Sequence, residues 1–128
     1  MANQADLEVL QAVLAVAGAD GDFERSEKGV YEGLARRIGA NAMTVWNMMN
    51  NVRTDPVLRE NLFRTKLRDR RAAMKLLIAT ARIDGDISDQ ERELLVDMSS
   101  KLGIEANEFG RIYQEGLAAA DAIRKRRN

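Results

Sequence analysis

Residues Leu14–Asp22, LAVAGADGD, have a similar counterpart 64 residues later at Ile78–Asp86, IATARIDGD. In each copy a run of small and apolar residues leads into an Asp-Gly-Asp sequence. Apolar residues at helical spacing are typical of a buried helix, and Asp-Gly is typical of the turn that ends one. The two stretches therefore predict two equivalent helix-turn units in one chain.

The match between the two stretches continues without a gap into the segments that follow. Glu27 falls on Glu91 and Gly39 falls on Gly103. The apolar positions between them also correspond, as Val30 with Leu94, Tyr31 with Leu95, Leu34 with Met98, and Ile38 with Leu102. A repeat that occurs only twice is a duplication within one core, because each unit needs the other to cover its apolar face. We therefore predict a single domain over residues 1–128, with repeat units at about residues 7–39 and 71–103.

The composition favours an all-α fold, since the chain has six aromatic residues and one proline, Pro56. Hydrophobic periodicity predicts helices near residues 4–18, 24–39, 42–52, 67–83, 88–102 and 106–124. Asp55-Pro56 is typical of a capping residue followed by proline in the first turn of another helix. We expect the repeated apolar positions to form the shared core: Leu14, Ala17, Tyr31, Leu34, Ile38, Ile78, Ala81, Leu95, Met98 and Leu102.

Charge is balanced overall but unevenly distributed along the chain. The formal net charge is zero, which favours neither a nucleic acid nor an anionic membrane as a partner. Residues 53–75 hold eight basic and three acidic side chains, whereas residues 84–97 hold six acids and one arginine. The run Arg64–Arg71 could contact phosphate or an acidic partner, but no aromatic residue is interleaved in it, which favours a solvated helix face. We expect no nucleic-acid partner.

The chain has no cysteine and no histidine. Disulfides, thiolate nucleophiles, imidazole bases and the usual zinc sites are therefore excluded, and any metal must be held by oxygen. The first residues form no basic signal region, and no apolar run approaches the ~18 residues that cross a bilayer. We expect no membrane span and a cytoplasmic bacterial protein.

The acidic loops resemble the second half of a calcium-binding EF-hand loop. Asp20–Glu27 and Asp84–Glu91 each supply aspartates, a turn glycine and a final glutamate, which are oxygen ligands that calcium and magnesium prefer. The first two EF-hand ligand positions are missing in both loops, so we expect weak binding and no required cofactor. The candidate metal ligands are Asp20, Asp22, Glu27, Asp84, Asp86 and Glu91.

A second interpretation of these loops needs no metal. Ser88-x-x-Glu91 is a capping box, and Gly21 and Gly85 can supply the turns. A similar choice applies to Met43, Met48 and Met49 around Trp46, which form either part of the core or an adaptable partner-binding surface. Each choice stays open at the level of sequence, although we expect the methionine helix at residues 42–52 to be well buried.

The paired motif resembles the TerB-like domains, which include tellurite-resistance TerB proteins and the N-terminal region of the DjlA co-chaperones. The resemblance rests on Ala17–Gly21 with Glu27 and Gly39, and on Ala81–Gly85 with Glu91 and Gly103. It implies a multihelical fold with two central helices and a four-helix motif repeated twice. It also implies an acidic surface that meets divalent metal and a role in bacterial tellurite resistance or stress response.

These observations predict a non-enzymatic binding or scaffold module of the TerB-like kind, with another protein as its partner and divalent metal as a possible ligand. The alternative is a metal-independent helical protein-interaction domain. An enzyme is not expected, because exposed carboxylates on helical repeats give no sign of a concave site with two differently tuned acids.

Overall fold

The computed structural model describes the backbone of residues 3–19 and 25–127 and the side chains of residues 3–19 and 28–126. Over these residues the chain forms seven α-helices and no strand, which confirms the all-α prediction. The helices are α1 (Gln4–Gly18), α2 (Arg25–Arg37), α3 (Ala42–Thr54), α4 (Pro56–Thr65), α5 (Arg70–Ile83), α6 (Asp89–Lys101) and α7 (Ala106–Arg127). Two bounds differ most from the prediction. Helix α5 begins at Arg70 rather than near residue 67, because Asp69 accepts a hydrogen bond from the Ala72 N–H at 3.1 Å and caps the helix, and α7 runs to Arg127 rather than to residue 124.

The helix bounds follow the 64-residue offset of the sequence. Helices α2 and α6 begin and end at equivalent positions, and α3 and α7 begin at the equivalent residues Ala42 and Ala106. Gly39 and Gly103 follow α2 and α6 with φ of 83° and 81°, a left-handed conformation that glycine adopts without steric cost. The second helix of each repeat, its glycine end and the start of the next helix are therefore repeated at the same offset as the sequence.

The hydrogen bonds at these two helix ends are also equivalent. The Ala40 N–H donates to the Ala35 carbonyl at 2.9 Å, and the Ile104 N–H donates to the Ser99 carbonyl at 2.9 Å. Gly39 and Gly103 each donate to a carbonyl three residues earlier at 3.0 Å. This is the Schellman pattern, which satisfies the last carbonyls of a helix and reverses the chain. Both glycines end their helices as predicted.

Helices α1 and α5 form the centre of the molecule. Every residue of α1 from Ala12 to Gly18 is buried, which only an element surrounded by others can achieve. Helix α1 contacts α3, α5 and α6, and α5 contacts α1, α2 and α7. All ten residues predicted for the shared core are buried, so that prediction is confirmed. Within the described part of the chain, no helix is long and apolar enough to cross a membrane.

The methionine-rich helix α3 is less buried than the sequence predicts. Val45, Met49 and Val52 are buried, at the spacing of one helix face, but the Met43 side chain is 68% exposed. Trp46 is half-buried, with its ring centre 5.3 Å from that of Tyr31. The prediction of a well-buried helix is wrong because no helix among the described residues packs on the Met43 face of α3, and methionine does not distinguish a core face from an exposed one.

Pro56 separates α4 from α3 and makes the two halves unequal. A residue before proline is driven out of the helical region, and Asp55 is extended, with φ −124° and ψ 95°. Its carboxylate then caps α4 by accepting from the N–H groups of Val57 and Leu58 at 3.1 and 3.2 Å. In the second half, α7 continues unbroken through the equivalent positions. Helix α4 has no fully buried residue and lies on the surface beside α3.

Candidate functional site

The two acidic loops differ in how much of them the structure describes. Asp20 and Asp22 lie outside the described residues, as does the side chain of Glu27, so metal binding by the first loop stays a prediction. The second loop, which joins α5 to α6, is described completely. The candidate site therefore consists of Asp84, Asp86 and Glu91 with the groups that contact them.

Glu91 begins α6 as the partner of Ser88. The Ser88 N–H donates to Glu91 Oε1 at 2.9 Å, and the Glu91 N–H donates to Ser88 Oγ at 3.1 Å. Each side chain thus satisfies a backbone donor that the first turn of a helix leaves without a partner. The capping box predicted from the sequence is confirmed.

The Glu91 carboxylate also binds an arginine from the other half of the chain. Arg37, in the last turn of α2, donates from Nη1 to both carboxylate oxygens, at 2.6 and 2.7 Å. Its Nη2 donates to the carbonyls of Ala81 and Gly85, at 2.7 and 3.0 Å. One guanidinium therefore joins the end of α5, the loop and the start of α6.

The electrostatic setting keeps Glu91 charged. Burial raises the pKa of Glu91, but the hydrogen bonds from Ser88 and Arg37 and the positive charge of Arg37 outweigh it, so the pKa lies below that of an ordinary glutamate. The two side chains are well shielded, with exposed fractions of 21% for Arg37 and 14% for Glu91. A metal ion that used Glu91 would have to displace a bound arginine.

The two aspartates of the second loop lie apart from this contact. Asp84 is the C-cap of α5 and is exposed, and Asp86 is 94% exposed and pairs with Arg82 at 3.1 Å. Gly85 has φ 147°, as expected for a glycine that makes the turn. Among the residues described, no group of three carboxylates lies close enough to hold a metal ion together. The structure thus supports the capping and turn interpretation of the second loop, and metal binding there stays a prediction.

Arg37 is a functional residue that the sequence pattern did not predict. Each acidic loop was expected to supply its own ligands, whereas the cation comes from a helix 54 residues away. The repeat contains a signal that could have found it, because the position equivalent to Arg37 is Lys101, at the same place in the last turn of α6. The two repeats thus carry a basic residue at the same position.

A second feature is a groove of about 560 Å³ between α4 and the start of α5. Its lining consists of Pro56, Arg59, Glu60, Phe63, Arg64 and Arg70. The guanidinium carbon of Arg70 lies 4.4 Å from the centre of the Phe63 ring, and that of Arg59 lies 5.7 Å from it. These are cation–π distances. Phe63 precedes the run Arg64–Arg71 in sequence, and the turn between the two helices brings it against Arg70.

No protein-family model, no curated protein and no solved structure matches this chain.

Proposed function

We propose that the chain is a non-enzymatic helical binding module of the TerB-like kind, in which the second acidic loop is closed by Arg37 and works without metal. The observation that carries this proposal is the position of the Arg37 guanidinium among the oxygens of Glu91, Ala81 and Gly85. The paired motif supports the TerB-like assignment and, with it, two halves related by a pseudo-two-fold axis and a role in bacterial tellurite resistance or stress response.

The oxygens around Arg37 are of the kind that a calcium ion recruits. Four of them, two carboxylate and two carbonyl, lie within 3.0 Å of its nitrogens. Calcium takes carboxylate and carbonyl oxygens in the same way, with water completing the shell. Arginine is always protonated, and its planar fork presents several donors in a fixed geometry. The Arg37 guanidinium from α2 thus takes the role of a bound calcium ion. Its contacts also join the two halves of the chain.

This arrangement is suited to binding rather than to chemistry. Glu91, the best-shielded carboxylate of the motif, accepts three hydrogen bonds, and Asp84 and Asp86 are exposed to solvent. The pKa of Glu91 is lowered, whereas a carboxylate that acts as a general acid or base needs a pKa raised toward the working pH. The motif therefore serves as a structural clamp in a scaffold whose outer surface meets a partner protein.

The proposal is tested by titrating the ¹⁵N-labelled protein with calcium and with magnesium to about 10 mM, a range that covers the weakest protein calcium sites. We expect no saturable shift of the Gly85 amide in the wild type. Arg37→Ala should make that amide sensitive to calcium, because it leaves the loop oxygens without a cation. Arg36→Ala removes an exposed arginine one residue away and is the matched control.

A saturable shift at Gly85 in the wild type that is lost in Glu91→Gln would overturn the proposal. The same titration tests the first loop independently. A shift at Gly21 that is lost in Glu27→Gln would assign weak calcium or magnesium binding to Asp20, Asp22 and Glu27, as the sequence predicts.

A further inference from the structure

The arginines of the groove between α4 and α5 have no carboxylate partner within the described residues. Among the described residues, the cations that form ion pairs are Arg37, Lys66, Arg71, Arg82 and Lys101. Arg59 instead lies over Phe63, and Arg64 donates to the Asn61 side chain at 3.3 Å. Arg70 lies over the same ring and donates to the Leu102 carbonyl at 3.2 Å. With Glu60 as the one acid in its lining, the groove has an excess of two positive charges.

Two of these guanidiniums are held in place before any partner arrives. Stacking on Phe63 restricts the rotamers of Arg59 and Arg70, so less entropy is lost when they bind an anion. Each keeps donors that match a carboxylate at two points. Phe63 and Pro56 supply the apolar part of the same lining. The groove thus combines positioned cations with an apolar floor.

The groove is an addition to the repeated fold and not a consequence of it. In the second half, α7 runs straight through the region equivalent to α4, and Ile123 and Arg127 occupy the positions equivalent to Arg59 and Phe63. Helix α4 is attached through the half-buried residues Leu58, Leu62 and Phe63. Because α4 buries little side-chain surface, it contributes little to the core. Its exposed face is therefore a candidate binding surface.

The charge pattern disfavours a nucleic acid and a membrane as the occupant. A nucleic-acid backbone places a negative charge every few ångströms, whereas Asp55, Glu60 and Asp69 interrupt the basic residues of this surface. A helix that lies in a membrane needs a broad apolar face. Val57 is the only large apolar residue of α4 that is exposed.

We infer that this groove binds a short acidic peptide segment of a partner protein, in which carboxylates flank one apolar side chain. The carboxylates pair with Arg59, Arg64 and Arg70, and the apolar side chain lies on Phe63 and Pro56. This inference rests on the proposed function and specifies its partner. The binding site is small, because its lining comes from the single junction between α4 and α5.

The test is fluorescence anisotropy with a short labelled peptide of aspartates and glutamates around a central leucine, in EDTA and at low salt. Arg59→Gln and Arg64→Gln should each weaken binding about tenfold, the effect of one lost charge-assisted contact. Arg59→Lys keeps the charge but loses the fork, so its effect should be smaller than that of Arg59→Gln. Phe63→Leu keeps an apolar floor and removes the stacking, and it should weaken binding while circular dichroism stays unchanged.

The matched control is the double variant Arg124→Gln with Lys125→Gln, which removes two exposed charges at the far end of α7 and should change affinity less than about twofold. A peptide with the acids replaced by their amides should not bind.

The inference is overturned if the groove variants bind like the wild type or if the amide peptide binds equally well. It is also overturned if a single-stranded oligonucleotide or a phosphatidylserine vesicle binds more tightly than the peptide and loses that binding in the same variants. Sedimentation that shows a dimer lost in Arg59→Gln would make a second copy the occupant and would overturn it as well.

Failure of this inference is distinguishable from failure of the proposed function. Peptide binding that requires calcium would contradict a metal-independent module and leave the groove assignment intact. If the groove substitutions leave peptide affinity unchanged and the Gly85 amide does not respond to calcium, the groove assignment is wrong and the clamp remains.

Discussion

Arg37 places a positive charge among four oxygens at the second acidic loop. Its two nitrogens contact a carboxylate and two carbonyls at distances of 2.6–3.0 Å. Lysine has a single ammonium and cannot reach four acceptors in this fixed geometry. The residue equivalent to Arg37 in the other half is Lys101, which contacts Asp97 at 3.2 Å. The two repeats therefore differ in the chemical type of the cation at this position.

The contacts of Glu91 differ in how far the sequence could predict them. Ser88 and Glu91 are three residues apart, so their capping box could be predicted from local spacing alone. Arg37 and Glu91 are 54 residues apart, and only the packing of α2 against α6 brings them together. Local patterns carry information about local hydrogen bonds, and the contact with Arg37 is set by the tertiary fold.

The lowered pKa of Glu91 predicts a pH-dependent contribution to stability. A carboxyl whose pKa is lower in the folded than in the unfolded protein stabilises the fold above its ordinary pKa near 4.5, and that contribution is lost as the pH falls through the folded value. The difference in unfolding free energy between wild type and Glu91→Gln should therefore be largest near neutral pH and shrink below about pH 4.5. Urea unfolding at several pH values measures it.

The control for this experiment is Glu93→Gln, which removes an exposed acid from the same helix. It should stay close to wild type at neutral pH, within about 0.5 kcal/mol, as expected for a surface change. A wild-type advantage over Glu91→Gln that grows as the pH falls would contradict a lowered pKa for Glu91 in the folded protein.

At the scale of elements, the contact between α5 and α7 depends on a glycine. A Cβ atom on Gly116 would lie 2.8 Å from Ile78 Cγ2 and 3.2 Å from the Lys75 carbonyl oxygen. The carbonyl belongs to the α5 backbone and cannot move aside without shifting the helix. Gly116→Ala should therefore destabilise the protein by about 1–3 kcal/mol, the usual effect of overpacking.

Gly110 provides a matched control on the same helix, because a Cβ atom there would meet nothing within 4 Å. Gly110→Ala should stabilise the protein by about 0.5–1 kcal/mol through higher helix propensity. Thermal unfolding of both variants decides the matter. Equal effects of the two substitutions would mean that α5 and α7 are not in close contact at Gly116.

The start of helix α4 could be predicted from the sequence, but the groove beside it could not. Asp55-Pro56 predicted its start correctly, because proline and a capping aspartate act on the adjacent backbone. The groove could not be predicted, since it depends on the turn that returns Arg70 to Phe63. Along the chain the aromatic lies outside the run Arg64–Arg71, so nothing indicated an aromatic among the arginines.

At the scale of the whole molecule, the two halves share one core. Leu34 and Leu95 are both 0% exposed, in α2 and α6, and these helices contact each other and the central helices. Leu34→Ala and Leu95→Ala should each lower the free energy of unfolding by about 2–5 kcal/mol. Each should shift a single cooperative transition, as in a small one-domain protein.

Calorimetry and circular dichroism at two wavelengths test this expectation. Two separate transitions, with one substitution acting on each, would show that the halves unfold independently. The all-α fold and the core positions could be predicted because the apolar period recurs at the same 64-residue offset as the motif. The relative packing of the halves could not be predicted, because periodicity shows which face of a helix is buried but not which element covers that face.

We propose above that Arg37 from the first half closes the acidic loop of the second half in place of a metal ion. The most direct test is a double-mutant cycle of Arg37→Ala and Glu91→Ala, followed by urea unfolding in EDTA. We expect a coupling energy of about 1–3 kcal/mol, as for residues in direct contact within one salt-bridge network. That energy should be unchanged in millimolar calcium. A coupling energy near zero in EDTA, or one that appears only when calcium is added, would show that Arg37 does not take the place of a metal ion.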